Sequence, residues 1–233
     1  MSLKAVLFDF NGVIINDESI HQELVEEILL TENLRPSTAD YQEVCLGRSD
    51  RVCLRDILAR RGRIVSDEYL DKLIRAKANA YRQRLEGLTE LPIYPGLKDF
   101  LEEIRAKNLL MAIVTGALRS EVELVLERSS LASYFSLIIS GDRIKASKPQ
   151  PDGYLLAVEF LNQKFSYLNL QPANCLVIED SFAGIQAAKN AGMQVVGVAN
   201  TYPFHMLQRR ANWVVDYLAE LELDWVAEIL AKN

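Results

Sequence analysis

"VLFDFNGVII" (residues 6–15) is an apolar run broken by one carboxylate, Asp9, and then by Asn11-Gly12. A half-exposed strand alternates apolar and polar side chains, whereas a strand covered on both faces is continuously apolar. This stretch is of the second kind. "LMAIV" (110–114), "LIIS" (137–140), "CLVI" (175–178) and "QVVGV" (194–198) share its character. Helical patterns separate the later runs. In "GLKDFLEEIRAKN", Leu97, Phe100, Leu101 and Ile104 recur at i, i+3, i+4 and i+7, the spacing of one helix face. "SEVELVLERSS" and "SFAGIQAAKNAGM" read alike, the second ending at Gly192, a residue suited to close a helix. Buried strands alternating with helices predict a doubly wound, parallel, Rossmann-like α/β sheet covered on both faces.

Residues 16–91 break the alternation. Ile20, Leu24, Val25, Ile28 and Leu29 share a helix face, and "RVCLRDILARRG" and "DEYLDKLIRAKANAYRQRL" continue in helical register. No convincing strand lies inside. "LPIYPG" (91–96), with two prolines and a glycine, marks a return to the sheet. The expected organisation is a core of residues 1–15 and 92–233 with an all-helical cap, 16–91, inserted after the first strand.

At 233 residues, 49% hydrophobic and 25% charged, the chain has the balance of a folded globular protein. Its net charge of −6 argues against nucleic acid or an anionic membrane surface as partner. No stretch approaches the roughly 20 apolar residues of a membrane span. No signal peptide is read before the first strand, so a cytoplasmic location is expected, as a monomer or weak homo-oligomer. Cys45, Cys53 and Cys175 are odd in number and show no CxxC spacing, and so are expected as buried free thiols.

Ligands of open parallel α/β sheets bind beyond the carboxyl ends of the strands. Asp9 stands there after the first strand, Thr115-Gly116 after "LMAIV", and Glu179-Asp180-Ser181 after "CLVI"; Lys148 precedes a proline in "KASKPQPDGY". One isolated Asp is commonly a helix cap, but acids at successive strand ends are better explained by a site. Asp9, Glu179 and Asp180 carry three negative charges, which a divalent cation and Lys148 would balance. All-oxygen ligands suit Mg²⁺, and no His or Cys cluster offers itself to zinc. A hard cation, a lysine, a hydroxyl and strand-end N–H groups together suit a phosphate. Asp9 would then face the phosphorus as a nucleophile able to form an aspartyl-phosphate.

"FDFNGVI", "VTG", "SKPQPDGY" and "CLVIEDSFAGIQAAKNAGM" resemble, in order and spacing, the four motifs of the haloacid dehalogenase superfamily, nearest its beta-phosphoglucomutase-like phosphatase branch with a helical cap. The resemblance implies Asp9 as nucleophile and metal ligand, with Asp180 and Glu179 and the backbone carbonyl of Asn11 completing a Mg²⁺ site. It implies Thr115 and the backbone at Gly116 as the phosphoryl cradle, with Lys148 offsetting charge. The substrate implied is a small phosphorylated metabolite, and the activity a phosphohydrolase, with a hexose-phosphate mutase or a weakly catalytic phosphometabolite-binding protein as alternatives. Arg48, Asp50 and Lys77 fall in segments that in relatives face the site from the cap. Mutases usually carry an arginine about two residues beyond Arg48, where Asp50 and Arg51 stand, which weakens the mutase alternative.

In similar enzymes the residue two past the nucleophile is usually an aspartate that protonates the leaving group and then activates water. Here it is Asn11, which has no titratable proton near neutrality. A slowed enzyme, a binding protein, a substitution in an active enzyme, deamidation at Asn-Gly, or His21 in "NDESIH" taking over the role all remain open from the residues alone.

Overall fold

The computed structural model describes residues 2–232. In chain order its elements are β1 (Ala5–Phe8), α1 (Glu18–Thr31), α2 (Thr38–Val44), α3 (Asp50–Arg60), α4 (Asp67–Glu86), α5 (Leu97–Ala106), β2 (Leu110–Val114), α6 (Arg119–Arg128), β3 (Leu137–Ile139), α7 (Asp152–Lys164), β4 (Cys175–Glu179), α8 (Phe182–Asn190), β5 (Gln194–Val198), α9 (Phe204–Leu207), β6 (Trp213–Val215) and α10 (Leu223–Lys232). Among the described residues the strands form one sheet in the order β3-β2-β1-β4-β5-β6, every pairing parallel.

The continuous apolar character of the strands follows from two-sided cover. Val6 and Phe8 of β1 pack into a layer with Phe100 and Ile104 of α5 and Val122 and Val125 of α6. Ala5 and Leu7 point the other way, against Tyr154 and Leu161 of α7 and Ile185 and Ala188 of α8. Gly192, at φ 77°, closes α8, as its place in the sequence suggests. The short strand β6 is an addition to the five runs read from sequence; three residues, two of them only half-buried, carry little periodic signal.

From β1 the chain steps outward to β2 and β3, then returns across β1 to β4 and on to β6, so the order switches between β1 and β4. A crevice opens at such a point beyond the strand ends. Phe8 is level with Ile113 of β2 and Ile178 of β4, so Asp9 lies beside Glu179. The Asp9 N–H donates to the Ile178 carbonyl at 3.0 Å.

Helices α1–α4 follow β1 with no strand among them. Val25, Leu29, Tyr41, Leu54, Ile57 and Leu70 make an apolar core of their own, while Leu24, Tyr81 and Leu85 join the layer beneath the sheet. One expectation is corrected here: Cys45 and Cys53 are joined in a disulfide, and Cys175 is the buried free thiol among the described residues. The tight turn between α2 and α3 brings their Cα atoms to 4.4 Å, a proximity that spacing alone does not reveal.

Candidate active site

Lys148 is the hub of the crevice. Its Nζ lies 2.9 Å from Asp9 Oδ1 and 2.6 Å from Glu179 Oε1, and all three residues are buried. The Phe10 N–H also donates to Asp9 Oδ1, at 2.8 Å, fixing that carboxylate. Glu179 is held on every side. Its Oε1 accepts from Tyr154 Oη at 2.9 Å, and its Oε2 accepts from Ser181 Oγ at 3.1 Å and from the Asp180 and Ser181 N–H groups. The carboxylate lies against Gly184, where a Cβ would come within 1.7 Å of Oε1. Asp180 accepts from Thr201 Oγ1 through Oδ2.

Asp9, Glu179 and Asp180 each offer an oxygen within 4.8 Å of the others. With protein groups alone this cluster is under-compensated. Burial and the Glu179 charge lift the Asp9 carboxyl to about 7 against the pull of Lys148. Burial, Glu179 and Asp9 push Asp180 well above the usual carboxylate range. Burial works against the Lys148 ammonium, but the Asp9 and Glu179 charges outweigh it and hold it protonated. Three carboxylates against one ammonium leave two negative charges in a buried space, which fits a divalent cation with all-oxygen ligands.

Gly12 sits at φ 76°, and a Cβ there would stand 1.9 Å from Asp180 Oδ2. Its carbonyl accepts from Asn200 Nδ2 at 2.7 Å. Gly12→Ala is therefore expected to cost about 1–3 kcal/mol in backbone strain and to displace Asp180 as well. A lowered melting temperature and a shifted Thr201–Asp180 hydrogen bond in the variant's crystal structure check this; an Asp180 that keeps its place would show that it does not depend on the close approach.

The Asn11 amide is turned toward α1. Its Nδ2 donates to Asp17 Oδ1 at 3.1 Å and Oδ2 at 2.9 Å, and lies 3.0 Å from His21 Nε2. Asp17, fully buried, also accepts from Tyr81 Oη at 2.5 Å. Lys77 Nζ sits 2.7 Å from His21 Nδ1 and 2.8 Å from Asp50 Oδ1. An ammonium only donates, so Nδ1 accepts and the ring proton on Nε2 faces Asp17 Oδ2 at 3.3 Å. A buried polar chain thus runs from Asn11 through Asp17, His21 and Lys77 to Asp50.

Thr115, buried at the end of β2, accepts from the Ala117 N–H at 3.0 Å. The turn between α2 and α3 rests directly on the sheet side. A Cβ on Gly116 would meet the Arg48 and Ser49 backbone at 2.9 Å, and one on Gly47 (φ 70°) would meet Ser181 Oγ at 2.3 Å. The Ser49 N–H donates to Ser147 Oγ at 2.9 Å.

A cavity of about 50 Å³ lies between the two sides. Of the residues singled out in the sequence, Asp9, Asn11, Thr115, Gly116 and Asp180 line it from the sheet, and His21, Arg48, Asp50 and Lys77 from the helices. Lys148 and Glu179 stand behind Asp9 rather than on the wall. Arg48 bends back to Asp56 (2.9 Å) and the Val44 carbonyl (3.1 Å). Sequence reasoning passed over Asp17, Tyr154 and Thr201. Asp17 immediately precedes α1, and Thr201 follows the end of β5, so the strand-end rule extended to "QVVGVANT" leads to Thr201.

A parallel sheet with this order, carrying a buried acid–lysine cluster at its switch point, defines an enzyme-type crevice. The family model of haloacid dehalogenase-like hydrolases matches residues 6–198, and the chain belongs to that family, an enzyme of its phosphatase-type hydrolases. It is 29% identical over 201 residues to a phosphorylated carbohydrates phosphatase of Thermotoga maritima, covering 85% of this chain and 87% of that one. It is 29% identical over 232 residues to the beta-phosphoglucomutase of Bacillus subtilis, covering 97% and 95%. The crystal structure of a beta-phosphoglucomutase from Clostridium difficile is similar at TM-score 0.85 and 25% identity, covering 99% of this chain and 98% of that one.

Proposed function

We propose that the protein is a Mg²⁺-dependent phosphohydrolase of a small phosphorylated metabolite, working through an aspartyl-phosphate on Asp9. The observation that carries this is the buried Asp9–Lys148–Glu179–Asp180 cluster, in which burial and the neighbouring carboxylate charge lift Asp9 and Asp180. Asp9 and Asp180, the backbone carbonyl of Asn11 and, behind them, Glu179 would hold the metal. When bound, Mg²⁺ would neutralise charge on the phosphoryl oxygens.

The chain's own residues do the rest. Asp9 attacks phosphorus, the ester P–O bond breaks, the phosphoryl group passes to the carboxylate, and the leaving alkoxide takes its proton from water. Thr115 and the backbone at Gly116 cradle the transferring oxygens. Lys148 holds Asp9 in its attacking orientation and offsets its charge. Water then attacks the phosphorus of the acyl phosphate, releasing inorganic phosphate and free Asp9. Residues 16–91 act as a cap over the core of 1–15 and 92–233, admitting substrate when they part and excluding water when they close.

The relatives' names support a phosphorylated sugar or a comparably small ester as substrate. No helix among the described residues is long and apolar enough to cross a membrane. A second function, a phosphometabolite-binding protein with weak turnover, is favoured by Asn11, which carries no transferable proton where the leaving group must be protonated. Turnover of p-nitrophenyl phosphate and a panel of sugar phosphates, with and without Mg²⁺, tests both. Multiple turnover supports the phosphohydrolase, interconversion of phosphate isomers a mutase, and binding without turnover the second function.

Asp180→Asn is expected to raise the Mg²⁺ concentration needed for half-maximal activity by about tenfold or more, the effect of removing one charged ligand. Hydrolysis that persists undiminished in EDTA would remove the metal from the proposal.

A further inference from the structure

We propose that Cys45 and Cys53 are a reversible redox site whose state sets how firmly the cap closes over the crevice. The proposal takes the crevice as the phosphate site of the preceding section. The disulfide joins Cys45, the residue that follows α2, to Cys53 in the first turn of α3. The four residues between those helical ends, Leu46, Gly47, Arg48 and Ser49, are the part of the cap that touches the core around the phosphate cradle. They meet it at Gly116, at Ser181 and through the Ser49–Ser147 hydrogen bond. The next residue, Asp50, holds Lys77 at 2.8 Å. A covalent tie across so short a loop removes conformations in which this turn is displaced. Reduction returns those conformations, and closure on a bound phosphate must then order the turn at its own entropic cost.

Both half-cystines line the cavity between cap and core and are buried in the closed form, at 5% and 3% exposure. A reductant therefore reaches them through the opening that admits substrate, so occupancy and redox state are linked. Oxidation converts two thiols to one S–S bond, releasing two protons and passing two electrons to a disulfide oxidant such as glutathione disulfide, which becomes two thiols. A dithiol reductant reverses each step. Cys175 takes no part; it is buried at the start of β4, and burial raises its thiol to about 12.

Protein oxidised with glutathione disulfide and protein reduced with dithiothreitol are compared for binding of inorganic phosphate in Mg²⁺ by calorimetry, and for hydrogen exchange at residues 46–49. Reduction is expected to raise the phosphate Kd about fivefold or more, the low end of ordinary coupling between sites, and to speed exchange at the turn. By reciprocity, saturating phosphate shifts the glutathione ratio at which half the pair is oxidised by the same factor. Cys175→Ala keeps the response; the C45S/C53S double variant shows the reduced values in either buffer. Equal Kd and equal exchange in the two states overturn the proposal, as does alkylation of both thiols after glutathione disulfide treatment. Absence of phosphate binding in both states would instead sink the phosphate-site assignment. Exchange at the turn would then decide alone: redox-dependent exchange supports the redox site, and redox-independent exchange overturns it.

Discussion

Asp9→Asn is expected to lower phosphate-ester turnover to the level of the buffer blank and to abolish any acid-labile phosphorylation of the chain. On the proposed mechanism the substitution removes the attacking oxygen and one charged metal ligand, and in the fold it removes one charged partner of Lys148. It is not expected to unfold the protein. Asp9 is buried beside Glu179, and its carboxyl rises from 3.8 to about 7 on folding without a cation. A raised carboxyl means that the folded state binds its proton more tightly than the unfolded chain, so stability falls as pH climbs between those two values. The neutral amide removes that contribution, while its Oδ1 can still accept from the Phe10 N–H and Lys148. In EDTA, Asp9→Asn should therefore melt no lower than the parent at pH 8, with the comparison moving in the parent's favour at pH 4. If Mg²⁺ binds as proposed it holds Asp9 ionised, so excess Mg²⁺ should abolish the parent's disadvantage at pH 8. Phosphate release and melting curves at the two pH values check both halves. Near-parental activity in Asp9→Asn would end the aspartyl-phosphate mechanism, and a collapsed melt would show that Asp9 is structural first.

What was legible in the sequence follows from what is local. The strands stand out because two-sided burial demands uninterrupted apolar runs, and a candidate acid is conspicuous as the first charge after such a run. Asp9 and Glu179 could be found in this way, Asp180 as the residue that follows Glu179, and Thr115 as the first polar residue beyond β2. Residues that act through long-range pairs could not. Tyr154 points at Glu179 from a helix face that reads as plain core, and Asp17 reads as a helix-start residue until its contacts with Asn11, His21 and Tyr81 appear. The Cys45–Cys53 pair depends on how tightly α2 turns into α3, which no spacing rule encodes. Lys77 shows the same limit in reverse. In sequence it is one cation on a charged helix; in the fold it is buried between Asp50 and His21.

Asn11→Asp is expected to raise steady-state phosphatase turnover by about 10²-fold or more, within the range for one general acid–base group. In the parent, the amide donates to both oxygens of Asp17 and has no proton to lend. An aspartate there would face the buried Asp17 carboxylate, and like charges at that range hold one of the two protonated. The shared proton is what the leaving alkoxide requires. Once it is given up, the resulting carboxylate can take a proton from the water that attacks the aspartyl-phosphate. The parent should therefore form the adduct from an activated donor such as acetyl phosphate, whose leaving group needs no acid, and then hydrolyse it slowly. Intact mass should show one phosphoryl group on Asp9 accumulating in the parent and decaying sooner in Asn11→Asp. Asn-Gly is prone to deamidation, so the Asn11 peptide of the parent must be checked by mass spectrometry, since deamidated protein would mimic the variant. Should Asn11→Asp bring no gain and the parent form no adduct, a missing acid–base group is not what limits this protein. The phosphometabolite-binding function would then be the better account of the same crevice, with Asn11 serving to hold α1 to the sheet through Asp17.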